Sequence, residues 1–265
     1  MPPRQPAHAV APGGNVILIT GASSGIGQQV ALALGRENNT LIITARRTAL
    51  LEDTAARIRA EGSRCLVLPC DALDESAAQA VVTRAVEEYG RLDIALLNVG
   101  EGPAFNMASI SAETVKQNMR LNYDSTVNFL VPVIQQMKTQ GSGLIAHTNS
   151  LAGFLGLPMQ GPYSAAKAAT RILMDTCRIE LAPYGIDVVT VYPGFVATAR
   201  IAGDGIPHPF QISEEAAAAH VLRALRKRPI DYPFPRMPAL LVRLARILPK
   251  RVVNALLARA TPTEY

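Results

Sequence analysis

Short apolar runs that alternate with helix-length segments constrain the fold of this chain more than any other feature of its sequence. The runs are VILIT (16–20), LIITA (41–45), CLVLP (65–69), IALLN (94–98), GLIAHT (143–148) and IDVVTVY (186–192). Each run is apolar on both faces, which is typical of strands buried between layers of helices. Alternating strands and helices imply right-handed crossovers. The sequence therefore predicts an α/β fold, a doubly wound parallel sheet of the Rossmann type with helices on both faces.

The length of 265 residues suits a single domain of this class. The composition predicts three parts. Residues 1–14, rich in Pro, Ala and Gly, are expected to form a loose tail. Residues 15–235 are expected to form a Rossmann-type domain, and residues 236–265 a basic amphipathic extension. The one compositionally biased segment is the Pro-rich RPIDYPFPRMP (228–238). No secretion signal or membrane-spanning run is found, and three scattered cysteines fit a reducing compartment. A cytoplasmic protein is expected, with peripheral membrane contact left open.

The first apolar run leads directly into TGASSGIG (20–27) and then into a helical pattern. Glycines at 21, 25 and 27 allow the backbone to turn tightly, to approach a diphosphate and to pack the helix against the sheet. The helix N-terminus offers free amides and a favourable dipole to the anion. The GxxxGxG spacing differs from the GxGxxG fingerprint of other dinucleotide sites. Its place between a buried strand and a helix nevertheless predicts a dinucleotide-binding loop.

Four further motifs follow this loop in order: RLNYDS (120–125), NSLAG (149–153), YSAAK (163–167) and PGFVAT (193–198). With these five motifs the chain resembles the short-chain dehydrogenase/reductase family over roughly residues 15–200. The resemblance implies an NAD(P)-dependent oxidoreductase in which PGFVAT closes over the nicotinamide. It also implies a catalytic set of Asn122, Ser150, Tyr163 and Lys167, with Ser150 thirteen residues before the tyrosine.

Each member of this set also has a purely structural interpretation. Tyr163 and Lys167, four residues apart, share a helix face, where a tyrosine can pack at the core edge while a lysine reaches water. Ser150 could cap a loop, and Asn122 could be a polar residue inside a helix. The ordered motifs favour the catalytic interpretation for Tyr163 and Lys167. For Ser150 and Asn122 it depends on the resemblance.

Oxidation of an alcohol needs a proton acceptor beside the hydroxyl, while the cofactor takes the hydride. A phenol with a pKa of about 10 is a poor base near neutrality. One positive charge ~5 Å away would lower that pKa to about 8 if the site excludes much of the water. We therefore expect Lys167, aided by the oxidised nicotinamide, to lower the pKa of Tyr163. By resemblance, Ser150 holds the substrate oxygen and Asn122 anchors a water that links Lys167 to solvent.

The segment after the second strand indicates which dinucleotide is bound. An acidic residue there accepts from the ribose 2′-hydroxyl, whereas an arginine accommodates a 2′-phosphate. The chain has Arg46 and Arg47 there and no acidic residue before Glu52, which favours NADP(H) over NAD(H). The alternative is that both arginines are solvated at a helix start. Asp71 resembles an adenine-contacting aspartate, and a turn role fits it as well. The predicted cofactor residues are Gly21, Ser23, Ser24, Gly25, Ile26, Gly27, Arg46, Arg47, Asp71, Asn98, Gly100, Tyr163, Lys167, Pro193, Gly194, Val196 and Thr198.

One segment departs from the family pattern, since LNVG (97–100) replaces the common NNAG after the fourth strand. Asn98 keeps an amide, and Gly100 keeps the close approach to the adenosine ribose. Leu97 takes the place of a side chain that the resemblance makes structural. Local hydrogen bonding is therefore expected to differ more than function.

The resemblance places substrate selectivity in ARIAGDGIPHPFQIS (199–213), before a helix that Ser213 is expected to cap. The residues that could line a substrate pocket include no charged side chain for a carboxylate or phosphate, so a lipophilic carbonyl compound or secondary alcohol is expected. Five apolar side chains could line its pocket: Leu155, Leu157, Met159, Phe195 and Phe210.

Positive charge is concentrated near the C-terminus: residues 223–259 hold eight Arg and two Lys against one Asp, in a chain of net charge +5. Residues 237–260 combine leucine-rich spacing with cations and no acidic residue, and Pro249 is expected to divide them into two helices. They could form an anchor on anionic lipid, or cover the fold or a subunit interface. The basic stretch lacks a nucleic-acid recognition motif. The dispersed histidines argue against a metal site.

The leading function is an NADP(H)-dependent oxidoreductase that interconverts a carbonyl and a secondary alcohol on a small molecule. The alternative is a non-catalytic nucleotide-sensing or scaffold protein on the same fold, which would not need to keep the four-residue set. A dehydratase or epimerase of the related longer architecture would need a substrate domain for which this chain is short. The resemblance also implies a homo-oligomer that assembles through helices in residues 113–139 and 163–184.

Overall fold

The computed structural model describes residues 14–198 and 208–260 of the protein, and seven strands in this part form one parallel sheet. The sheet order is β3-β2-β1-β4-β5-β6-β7. The strands are β1 Val16–Thr20, β2 Thr40–Thr44, β3 Arg64–Val67, β4 Ile94–Leu97, β5 Gly143–Thr148, β6 Ile186–Pro193 and β7 Asp231–Phe234. The six predicted apolar runs correspond to β1–β6. The predicted doubly wound parallel sheet is therefore confirmed.

Helices connect the strands and cover both faces of the sheet. The α-helices of the described residues are α1 Gly25–Gly35, α2 Thr48–Ala60, α3 Glu75–Tyr89, α4 Ala112–Met119, α5 Ser125–Gln140, α6 Gly161–Leu181, α7 Glu214–Lys227, α8 Arg236–Ile247 and α9 Lys250–Ala260. A π-helical turn, Arg120–Asp124, joins α4 to α5, and a 3-10 helix, Leu151–Phe154, follows β5. As predicted, Pro249 separates α8 from α9.

Two apolar clusters sandwich the sheet, because successive side chains of a strand point to opposite faces. On β1, Ile17 and Ile19 belong to one cluster, and Val16 and Leu18 belong to the other. Helices α1, α2 and α7 pack on the first side, and α3, α5 and α6 pack on the second. The strand order reverses between β1 and β4, which opens a crevice at the carboxyl ends of these strands.

Strand β7 was not predicted from the sequence, because it lies in the Pro-rich segment 228–238. Pro233 has no backbone N–H to donate, a defect that only an edge strand tolerates. β7 is such an edge and pairs with β6 alone, with Tyr192 beside Pro233 in the register. The Tyr192 hydroxyl also donates to the Asp231 carboxylate over 2.9 Å, which ties the edge strand to its neighbour.

Three segments carry predictions that lie outside the described residues. They are residues 1–13 of the predicted tail, residues 199–207 of the predicted substrate loop, and residues 261–265 of the extension. Among the residues that are described, none of the helices is both long enough and apolar enough to cross a membrane.

Candidate active site

A cavity of about 320 Å³ lies at the carboxyl ends of the central strands, where the strand order reverses. Its walls include the last residues of β1, β2 and β5, which are Thr20, Thr44 and Thr148, and Asn98 directly after β4. Parallel strands place their carboxyl ends at one edge of the sheet, so segments far apart in sequence meet there.

The glycine-rich turn forms the end of the cavity next to β1. Gly21 and Gly25 have φ angles of +69° and +62°, in the left-handed region that favours glycine. Ser24 stands at the N-cap of α1, but its side chain makes no capping hydrogen bond. By contrast, three other helices are capped by the side chains of Asp74, Ser111 and Ser213. The first turn of α1 thus presents amides and a dipole to the cavity with no side-chain acceptor of its own, which suits a diphosphate.

Two arginines stand at the entrance, between β2 and α2. Arg46 and Arg47 are both exposed and both line the cavity. Arg47 Nη2 donates to Ser23 Oγ over 3.0 Å and to Ser24 Oγ over 2.7 Å, so its guanidinium lies against the glycine-rich turn. Arg47 is also the N-cap residue of α2, where a cation opposes the helix dipole. The segment after β2 therefore carries two positive charges beside the glycine-rich turn.

Asp71 is a turn residue at the cavity, and its contact with adenine stays a prediction. It lines the cavity, and its Oδ1 accepts from the Leu73 amide over 3.1 Å as in a turn. Since the turn bond uses one carboxylate oxygen, the other is left for a ligand in the cavity.

Tyr163 and Lys167 lie side by side on α6 and face the same cavity as the glycine-rich turn. Lys167 Nζ is 5.7 Å from the centroid of the Tyr163 ring and donates to the Thr148 carbonyl over 2.9 Å. Ser150, at the start of the 3-10 helix, also lines the cavity and is hydrogen-bonded to the Tyr163 side chain. Its Oγ accepts from the Ala152 amide over 3.1 Å, so the capping role proposed for it is present as well.

Burial governs the electrostatics of this trio. It raises the pKa of Tyr163 above its usual value, and the hydrogen bond from Ser150 only partly opposes that rise. Burial also lowers the pKa of Lys167 to about 8, because it disfavours phenolate and ammonium alike. The expected lowering of the Tyr163 pKa by Lys167 together with the oxidised nicotinamide concerns the site with cofactor bound and stays a prediction.

Asn122 lies beneath the cavity and does not line it. It is fully buried in the π-helical turn, where its Oδ1 accepts from Glu101 N over 2.9 Å and its Nδ2 donates to Glu101 O over 2.8 Å. A Cβ on Gly100 would stand 2.7 Å from Asn122 Oδ1 and 3.0 Å from Lys167 Nζ. Only glycine permits this approach, so the loop after β4 is held directly against the catalytic lysine candidate.

The departure at LNVG is accommodated by packing. Leu97 is buried in the apolar cluster on the α3 side of the sheet, and Val99 packs against the same cluster. The backbone N–H of Asn98 donates to Thr20 Oγ1 over 2.9 Å, and this hydrogen bond joins the loop to the end of β1. Apolar contact thus replaces hydrogen bonding at position 97, as expected for a leucine there.

The structure brings most of the predicted residues to the cavity but not all of them. Gly27 is absent from its walls: a Cβ there would stand 2.5 Å from Gly21 O, so this glycine serves close packing within the turn. The other predicted cofactor residues all line the cavity, namely Gly21, Ser23, Ser24, Gly25, Ile26, Arg46, Arg47, Asp71, Asn98, Gly100, Tyr163, Lys167, Pro193, Gly194, Val196 and Thr198.

Glu214 lines the cavity, although the sequence analysis did not predict it as a site residue. It is the first residue of α7, where a glutamate is expected simply to complement the helix dipole. Burial raises the pKa of Glu214, with a smaller contribution from Glu215.

The five apolar residues predicted for a substrate pocket do not line this cavity: Leu155, Leu157, Met159, Phe195 and Phe210. Residues 199–207 of the predicted substrate loop lie outside the described residues.

No group of three or more His, Cys, Asp or Glu side chains that could hold a metal ion is found in residues 14–198 and 208–260.

Comparison with known proteins identifies the relatives of this chain. The family model for short chain dehydrogenase matches residues 15–204. An oxidoreductase of Myxococcus xanthus is 32% identical over 241 residues, which cover 90% of this chain and 94% of that protein. A short-chain type dehydrogenase/reductase from Mycobacterium marinum superposes with a TM-score of 0.78 at 26% identity, over 84% of this chain and 94% of that one. An alcohol dehydrogenase from Thermococcus sibiricus, complexed with 5-hydroxy-NADP, has a TM-score of 0.75 at 25% identity, over 84% of this chain and 97% of its own.

Proposed function

The chain belongs to the short-chain dehydrogenase/reductase family of oxidoreductases, and on that premise we propose that it interconverts a carbonyl and a secondary alcohol with NADP(H). Tyr163 is the proposed acid/base. One observation carries the proposal: a single cavity is lined by the glycine-rich turn, by both arginines, and by Ser150, Tyr163 and Lys167. A nucleotide-binding end and a proton-transfer end are thus joined in one space.

The residues present fit a dinucleotide. The uncapped first turn of α1 would hold the diphosphate, and Arg46 would hold a 2′-phosphate through charge-assisted hydrogen bonds. Bound there, the cofactor would supply or accept the hydride. The NADP complex of the Thermococcus sibiricus relative supports this choice, as does the absence of an acidic residue between β2 and Glu52.

The proton chemistry belongs to Ser150 and Tyr163. Because burial raises the pKa of Tyr163, its phenol is protonated near neutrality and is ready to donate a proton to a carbonyl oxygen. Ser150, hydrogen-bonded to the phenol, would hold the same substrate oxygen. The Lys167 ammonium, held against the Thr148 carbonyl, would stabilise the phenolate left after proton transfer. A protonated phenol beside the substrate oxygen is the form that carbonyl reduction requires.

Replacement of the phenol tests the catalytic assignment. Tyr163→Phe should lower kcat by roughly 10²–10⁴, because it removes the general acid but leaves the cofactor end intact. Activity would first be found by following NADPH absorbance against apolar aldehydes, ketones and alcohols. NADPH binding, measured by fluorescence titration, should change little. Tyr184→Phe is a matched control, since Tyr184 is exposed beyond the end of α6 and outside the cavity. Full activity in Tyr163→Phe would refute the assignment.

Arg46 tests the cofactor preference. Arg46→Ala should raise the KM for NADPH roughly tenfold to a hundredfold while the KM for NADH changes little, because only NADPH carries the 2′-phosphate. Arg57→Ala serves as a control, since Arg57 is an exposed arginine of α2 outside the cavity. Equal effects on the two cofactors would remove the argument for NADP(H).

A sensor or scaffold on the same fold is the competing class. It would bind NADPH yet turn over none of the carbonyl compounds, and Tyr163→Phe would leave its properties unchanged. The contact of Ser150, Tyr163 and Lys167 in one cavity favours the enzyme.

The remaining parts of the proposal are a lipophilic substrate, a cytoplasmic location and a homo-oligomer. Assembly through α5 and α6 is supported by three exposed apolar side chains on those helices, Val131, Ile172 and Ile179. Apolar side chains that face solvent in this way commonly mark an interface between subunits.

A further inference from the structure

Helix α8 exposes a continuous apolar face. Five large apolar side chains follow the spacing of one helix face. Each is at least 45% exposed: Met237, Leu240, Leu241, Leu244 and Ile247. Such a face is normally buried against another element, so its exposure calls for an external occupant.

The opposite side of α8 attaches the helix to the domain. Pro238, Ala239, Val242 and Ala245 are partly buried there, and α8 packs against β7 and the 3-10 helix Leu151–Phe154. The Arg246 guanidinium lies 4.9 Å from the centroid of the Phe154 ring. Because this side already makes the contacts with the domain, the five large side chains point away from it.

Large apolar side chains are also exposed around and beyond Pro249. Leu248, Val252 and Leu256 are also exposed, at 43%, 45% and 55%. Together with the five on α8, they make up half of the exposed large apolar side chains in the part of the chain that the structure describes. We call these eight residues the α8–α9 face. A concentration of this kind, within twenty residues of sequence, is typical of a binding surface.

Charge identifies the occupant. Exposed cations surround the α8–α9 face: Arg236, Arg243, Lys250, Arg251 and Arg259. No Asp or Glu occurs between residues 232 and 263. A second copy bound to this face would bring two sets of like charges together, which is unfavourable. An anionic lipid surface complements both the cations and the apolar stripe.

We propose that α8 and α9 bind the surface of an anionic lipid bilayer, with the α8–α9 face in the boundary between headgroups and acyl chains and the cations on lipid phosphates. The twelve residues of α8 extend only about 18 Å, so the helix lies along the surface. Pro238 Cβ is 3.6 Å from the position that a Cβ on Gly194 would occupy, and Gly194 lines the cavity. Helix α8 therefore adjoins the active-site end of the cavity through the side that faces the domain.

Vesicle co-sedimentation of the full chain tests this proposal. Vesicles of phosphatidylcholine alone are compared with vesicles that also contain phosphatidylglycerol. The wild type should sediment only with the anionic vesicles, and high salt should weaken its binding because the cations are exposed. The measurement needs neither substrate nor cofactor, so its outcome is independent of the proposed enzymatic function.

Two pairs of variants locate the contact. Arg243→Glu/Lys250→Glu/Arg251→Glu should lower the partition coefficient at least about tenfold. Arg57→Glu/Arg64→Glu/Lys116→Glu, which makes the same change in net charge at exposed sites elsewhere, should have a much smaller effect. Ile247→Asp should also lower binding about tenfold, whereas Ile230→Asp should not. The two isoleucines are 77% and 62% exposed, and Ile230 lies outside both the α8–α9 face and the helices proposed for assembly.

Circular dichroism and thermal unfolding check that each variant is folded. Three results would each overturn the proposal. The wild type could remain in the supernatant with anionic vesicles. The control variants could lose as much binding as the α8–α9 variants. Sedimentation velocity could show a dimer that Ile247→Asp dissociates while vesicle binding is absent, which would assign the face to a second copy.

Discussion

Lys167 is buried although the function proposed for it requires its positive charge. It is only 2% exposed, and its Nζ donates to a backbone carbonyl, that of Thr148. Burial lowers its pKa from 10.5 to about 8. The protein therefore keeps an ammonium group in an environment that disfavours its charge, as expected where a charge serves chemistry at the expense of stability.

The sign of the resulting pH dependence follows from proton binding. Between pH 8 and pH 10.5 the unfolded chain holds the Lys167 proton and the folded chain does not, so the free energy of unfolding rises with pH across this window. Below about pH 8 both states are protonated, and the folded state bears the full cost of the buried charge. A shift of this size corresponds to about 3 kcal/mol.

Lys167→Met should therefore stabilise the protein near pH 7 while abolishing turnover. The variant's advantage in unfolding free energy should shrink by most of about 3 kcal/mol between pH 7 and pH 10. Urea denaturation of both proteins at several pH values measures this difference, in which the other titrating groups largely cancel. Lys116→Met, at an exposed position on α4, should show no such trend. A difference that stays constant with pH would contradict the argument.

The junction of α4 and α5 positions the loop after β4. Its π-helical turn, Arg120–Asp124, carries Asn122, whose amide side chain holds both the N–H and the C=O of Glu101. The same side chain donates to the Asn118 carbonyl over 3.0 Å. A π-helical turn within a helical segment is frequently found at a functional site. Here it allows one buried amide to hold the loop that contacts Lys167.

Asn122→Ala should lower the free energy of unfolding by roughly 2–4 kcal/mol, because the partly buried backbone N–H of Glu101 loses the acceptor that Asn122 provides. Hydrogen exchange at that amide should accelerate, and NADPH binding should weaken as the loop loosens. Asn128→Ala is the matched control, since Asn128 on α5 makes one backbone hydrogen bond, to the Ala72 carbonyl. We expect about 1 kcal/mol for the control. Equal losses in the two variants would show that Asn122 does not position the loop.

On the scale of the whole molecule, the core and the basic extension are separate. In the described part of the chain, one apolar cluster extends to Val188 and the other to Phe234, and no residue of α8 is buried. The positive charge of the C-terminal helices stands outside the core, where it can act on a partner without perturbing the sheet.

The alternation of strands and helices could be predicted from the sequence because burial on both faces demands a continuous apolar run, a property of neighbouring residues. The glycine-rich turn and the spacing from Ser150 to Tyr163 are likewise local patterns. Strand β7 escaped prediction because Pro233 is tolerated only at a sheet edge, and the edge is a property of the assembled sheet.

The sequence by itself determined the fold class and most of the residues that meet in the cavity. Only the tertiary structure decided that Gly27 and Asn122 lie outside its walls, that Glu214 lies within them, and that one apolar face of α8 is left exposed. It also decided the burial that raises the pKa of Tyr163. These properties arise where segments distant in sequence pack together, because burial and electrostatic environment depend on all the neighbours in space and not on the neighbours along the chain.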